Sequence, residues 1–148
     1  MKIFKNIFGK KDQIIMYTSS TCGYCAQIKE ALDKANVKYV ERDTKIFPKE
    51  WNKLIALTNM PVTPAISYKG RNLYPARDFP NPSHLVEMLS NTNGMMVSDD
   101  DPLTTIIERA RTLNHQVNQA FQNLDKRLRL IEDVQQKILN KGKKKKTK

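Results

Sequence analysis

Cys22 and Cys25 are the only cysteines of the chain, and two residues separate them in Thr21-Cys22-Gly23-Tyr24-Cys25. Three chemistries use a pair at this spacing: thiol–disulfide exchange, a structural crosslink and metal ligation. A crosslink here would close a very small loop and remove little entropy from the unfolded chain. A structural zinc site takes about four ligands. His84 and His115 are the only histidines that could join the cysteines, and neither has a His partner at ligand spacing. Exchange chemistry is the reading that remains, and no metal is expected.

The elements around the pair suit that chemistry. Ile14-Ile15-Met16-Tyr17-Thr18 reads as a buried strand, and Ala26 to Leu32 reads as a helix. The order is strand, short loop, cysteine, helix. Unpaired N–H groups and the positive end of the dipole at a helix start favour a thiolate. Cys22 is thus expected to be the nucleophile, with a lowered thiol pKa. Cys25, about one turn further on, is placed to attack a disulfide formed at Cys22. C-x-x-C beside a strand–helix pattern in an intracellular protein is a thioredoxin-like redox signal.

From Asp12 to Asn91 strands and helices alternate. Helix one is predicted from Cys25 to Ala35, and strand two over Val37–Glu41. Pro48 opens a helix over Lys49–Leu57, and Asn59-Met60-Pro61 ends it. Ala65–Tyr68 and Arg71–Tyr74 read as a hairpin turning at Lys69-Gly70. Asn81-Pro82 starts a third helix as cap and first residue. The order β-α-β-α-β-β-α predicts an α/β fold, a small mixed sheet with helices on both faces and its first two strands parallel.

This segment, 12–91, resembles a glutaredoxin of the thioredoxin-fold superfamily. The resemblance rests on Cys22-Gly23-Tyr24-Cys25 after the first strand, Val62-Thr63-Pro64 before the third, and the element order. It implies a thioredoxin-like fold and thiol–disulfide oxidoreductase activity. It also implies a cis Pro64 facing the cysteines, Thr63 offering its backbone to a peptide or glutathione, and Tyr24 lining the site. Two departures stand out. The family order before the proline is Thr-Val, and here it is Val62-Thr63. The family has a Gly-Gly pair after the fourth strand that helps hold the glutamyl end of glutathione. Here the matching residues are Tyr74-Pro75, and proline offers no N–H. Arg77 and Asp78 are the expected substitutes in charge recognition. Glutathione is then a weak reductant, and no cofactor is expected to stay bound.

The rest of the chain is different in kind. Gly94 follows Asn91-Thr92-Asn93 and marks a linker over 92–101, after which Asp101 and Pro102 are a helix cap and first residue. From Leu103 to Asn140 there is neither glycine nor proline. Apolar residues recur every seventh position at Leu103, Ala110, Val117, Leu124, Ile131 and Ile138. A second series holds Ile106, Leu113, Ala120 and Val134, broken by Arg127. That period predicts a coiled coil over 102–140. Ile107, Phe121 and Leu128 widen the stripe, which suits three or more strands or packing on the domain. A single helix folded back on its own domain is the alternative.

The net charge of +11 is shared, with +6 on residues 1–98 and +5 on 99–148. Its one dense block is the Lys-rich tail 141–148, read as disordered, with weak polyanion binding through phosphate contacts. Residues 1–11 form a basic segment too short and too lysine-rich for a signal peptide. No apolar run approaches a membrane span, and the expected location is the cytoplasm. Two functions follow. One is an enzyme that reduces protein or mixed disulfides and is oligomerised or tethered by its C-terminal helix. The other is a structural or interaction protein on the same scaffold, acting through its coil and tail. The partners expected are a disulfide-containing substrate and, through 103–140, a second copy or another helix.

Overall fold

A computed structural model describes residues 13–91 and 102–145, with side chains through 140. The basic segment 1–11, the linker 92–101 with its capping Asp101, and the side chains of the tail 141–148 lie outside the described residues. Four strands form one sheet: β1 (Ile15–Thr18), β2 (Val40–Asp43), β3 (Ala65–Tyr68) and β4 (Arg71–Leu73), in the order β2-β1-β3-β4. β1 and β2 are parallel, with Ile15 opposite Val40. β3 runs antiparallel to both β1 and β4. The β3–β4 hairpin turns at Lys69 and Gly70, both at positive φ, the geometry a two-residue hairpin loop favours.

Helices α1 (Gly23–Lys34), α2 (Pro48–Thr58) and α3 (Pro82–Ser90) connect or follow the strands. α1 starts earlier than expected because Cys22 itself is its N-cap. β2 starts later than expected. The Val37 N–H is taken by the Leu32 carbonyl at the end of α1, and sheet pairing begins where the Val40 N–H reaches the Ile14 carbonyl. Asn59, left-handed at φ 55°, closes α2. The Asn81 side chain accepts the His84 N–H and opens α3.

The sheet divides the core into two apolar layers. One joins Met16, Ile28, Leu32, Ile66, Phe79 and Leu85, and Cys25 belongs to it. The other joins Tyr17, Leu54, Met60, Ala65 and Tyr74, with Trp51 at its edge. The alternation of sides along β1, with Met16 in one layer and Tyr17 in the other, follows from the two-residue period of a strand.

The long helix α4 (Pro102–Lys145) has 44 residues. The chain divides into two compact units, and the first extends through Thr112. The opening turns of α4 therefore belong to the same unit as the sheet. They pack on it through their polar face: Thr104, Glu108 and Thr112 are buried, whereas Leu103, Ile106 and Ile107 are exposed. This inverts the usual rule that an amphipathic helix docks by its apolar stripe. The second unit, from Leu113 onward, is helix with its apolar residues exposed, Phe121 and Leu124 among them.

Candidate functional site

The site begins at the end of β1. Thr18 closes the strand, and Ser19 to Thr21 carry the chain into α1. The Cys22 N–H bonds the Ser19 carbonyl at 3.1 Å. Cys22 takes extended angles (φ −86°, ψ 95°) as the N-cap, and its Sγ accepts the Cys25 N–H at 3.2 Å. One of the four N–H groups left unpaired at a helix start thus points at sulfur. Cys22 and Cys25 are joined as a disulfide with Cα atoms 5.4 Å apart. Their surroundings differ. Cys25 is 3% exposed and packed in the core, while Cys22 is half-buried at its margin. Tyr24 lies half-buried against the same core.

The second loop of the site is Pro61 to Pro64. The Thr63–Pro64 bond is cis and Pro64 is fully buried. The Ser19 and Thr63 hydroxyl oxygens are 3.3 Å apart. That contact joins the loop before Cys22 to the loop before β3, and it brings Thr63 and the cysteines into one neighbourhood. Nothing in the spacing of Ser19 and Thr63, 44 residues apart, announces it. A Cβ placed on Gly23 would meet nothing within 4 Å, so the approach over the first turn of α1 is open.

Arg77 and Asp78 have a different occupation from the one expected of them. Both side chains are almost fully buried, at 1% and 2% exposure, beneath the opening turns of α4. Arg77 pairs with Asp78 and Glu108, each at 2.8 Å, and donates to Thr112 at 3.0 Å and to the Asn72 carbonyl. Its guanidinium also covers the Tyr74 ring, 4.8 Å from the centroid. Asp78 accepts the Tyr74 N–H at 2.8 Å and pairs with Arg111. Arg111 returns to Glu108 at 3.2 Å. The charges expected to meet glutathione are thus balanced among themselves and α4. The sequence signal for this arrangement is the polar spacing of Thr104, Glu108 and Thr112, four residues apart on one helix face.

Tyr74 is fully buried, and its hydroxyl lies 2.9 Å from that of Thr58. Burial pushes its pKa up to about 12. At the other side of the sheet, Lys29 and Thr18 both donate to Glu41. The bond from Lys29 first, and then that from Thr18, holds the Glu41 carboxyl below its ordinary pKa. Among the described residues no three His, Cys, Asp or Glu side chains gather as a metal site. No described helix is long and apolar enough to cross a membrane.

The comparisons with known proteins agree with this geometry. The glutaredoxin family model matches residues 14–72. The match ends before Tyr74, so the loop that α4 covers lies outside it. No match is found among curated proteins. Glutaredoxins typically use glutathione and act on disulfides. With its thioredoxin-like sheet and its cysteine pair at disulfide distance, the segment 14–72 is a glutaredoxin-family domain, and the chain adds the long helix α4 to it.

Proposed function

We propose that the protein is a thiol–disulfide oxidoreductase that reduces protein or mixed disulfides in a reducing compartment such as the cytoplasm. The observation that carries this reading is the asymmetry of the pair: Cys22 is half-exposed at the N-cap of α1, and Cys25 is buried one turn later. In the reduced protein the Cys22 thiolate attacks one sulfur of a substrate disulfide. A mixed disulfide forms, and the other substrate sulfur leaves as a thiolate and takes up a proton. The Cys25 thiolate then attacks Cys22 Sγ. The second substrate thiol departs, and the Cys22–Cys25 disulfide of the structure remains. Two electrons have passed to the substrate, and an external dithiol or two thiols restore the pair. Tyr24, Thr63 and the cis Pro64 line the approach. Arg77 and Asp78 act at one remove, by holding the loop after β4.

The reductant follows from that loop. Pro75 offers no N–H where the family presents a glycine. One lost bond to a charged group costs roughly 1.5–3 kcal/mol, about ten- to a hundredfold in affinity. Glutathione is then used less well than a protein dithiol. Because Tyr74 is buried, the direct test is Pro75→Gly alone. Improved saturation by glutathione supports this account of the loop, and no change refutes it.

The test of the activity is alkylation and trapping. Neutral-pH alkylation of the reduced protein should label Cys22 first. Cys25→Ser should accumulate a mixed disulfide, and Cys22→Ser should abolish exchange. Preferential labelling of Cys25 would reverse the two roles. The second reading, an interaction protein acting through α4, is favoured by one observation: the exposed apolar stripe from Leu113 to Ile138. The two readings are compatible, with α4 as the element that oligomerises or tethers the domain.

A further inference from the structure

The apolar stripe of α4 is exposed along its length. Leu113, Val117, Phe121, Leu124, Leu128 and Ile131 all stand between 42% and 66% accessible. A stripe of this extent is an association surface, and what covers it is written in its pattern. Reversing the helix about the midpoint between Ala120 and Phe121 carries the stripe onto itself. Ala120 meets Phe121, Val117 meets Leu124, and Leu113 meets Leu128, and the series continues outward to Leu103 against Ile138. Small meets large at the centre, as close packing requires.

The polar interruptions obey the same reversal. Asn114 and Arg127 break the stripe, and reversal sets each opposite the other. The Asn114 amide oxygen is an acceptor suited to a guanidinium. A parallel, in-register pair would instead stack Arg127 on Arg127 inside the seam, where like charges repel and are partly desolvated. Gln135, the remaining polar position, falls opposite Ile106 near the end of the stripe. Ile107, Phe121 and Leu128, which widen the stripe beyond a two-residue seam, all find places in the reversed pairing.

We propose that α4 covers its apolar stripe with α4 of a second copy of this chain, antiparallel, in the register that faces Asn114 with Arg127. The pairing leaves free the polar face, which Thr104, Glu108 and Thr112 use within their own unit. It deepens the reading of α4 as an associating helix and is independent of the chemistry at Cys22, so disulfide exchange measured on the same samples separates failure of one from failure of the other.

The test uses the full chain. Sedimentation equilibrium of the unaltered protein should give a dimer, and a monomer at tens of micromolar overturns the proposal. Asn114→Glu should tighten the dimer several-fold, because each new carboxylate meets Arg127 of the other copy. Weakening by that substitution overturns the antiparallel register. A second measurement needs no change in the seam. With Cys22→Ser and Cys25→Ser as background, a spin label at Gln136→Cys should report a separation of about 45 Å, from a rise of 1.5 Å per residue. A distance below about 20 Å, as two parallel helices 8–10 Å apart would give, overturns it.

Discussion

Gly23 shows how little a residue's type need say about the fold when it speaks to function. It is the first residue of α1, and a Cβ there meets nothing. Gly23→Ala should leave the fold intact and raise stability by about 0.5–1 kcal/mol, since alanine is the better helix former. Thermal melting checks the gain, and lost turnover with a gain in melting would place the new methyl in the path of substrate. Tyr74 makes the opposite case. Its folded pKa of about 12 lies above its ordinary value of 10. The contribution of its neutral form is complete below pH 10 and is lost as pH rises through 10 to 12, about 2–3 kcal/mol in all. Tyr74→Phe should cost about 1 kcal/mol at neutral pH for the bond to Thr58. It should also flatten the alkaline loss relative to the parent, measured by denaturant unfolding at pH 8 and pH 11.

At the scale of elements, the sheet and α1 to α3 were legible because their signals are local. Pro48, Asn59, Lys69-Gly70 and Asn81-Pro82 each start or end an element within a few residues, and the structure places breaks at all of them. The cysteine pair was legible for the same reason. The docking of α4 was not. Its heptads point to an apolar contact, yet the opening turns pack through Thr104, Glu108 and Thr112. The partners of Glu108 and Thr112, Arg77 and Thr58, lie 31 to 54 positions away in sequence. No periodicity reports a bond across such a gap. The same network makes a sharp expectation. Arg77→Ala leaves the buried Asp78 and Glu108 carboxylates with Arg111 alone for a cation, and breaking buried pairs of this kind costs about 3–5 kcal/mol. Denaturant unfolding measures it. A loss under 1 kcal/mol would mean that water reaches the carboxylates freely.

At the scale of the whole molecule, charge and length act together. If the Lys-rich tail binds DNA, RNA or anionic vesicles, affinity should fall steeply with salt and show no sequence preference, because counterion release drives it. Fluorescence anisotropy across a salt series tests this, and binding that survives high salt would point to a shaped site instead. The attachment of α4 also sets an order of events during synthesis. The sheet is complete in sequence by Leu73 and α3 by Ser90. The charges that close over Arg77 and Asp78 arrive only with Glu108 and Arg111. At 5–20 residues per second, about one to four seconds separate Asn91 from Thr112 at the ribosome. A small domain folds within that interval. Until Glu108 and Arg111 are made, Arg77 and Asp78 have only each other, so a chain halted between Asn91 and Thr112 lacks the cover of this ion pair.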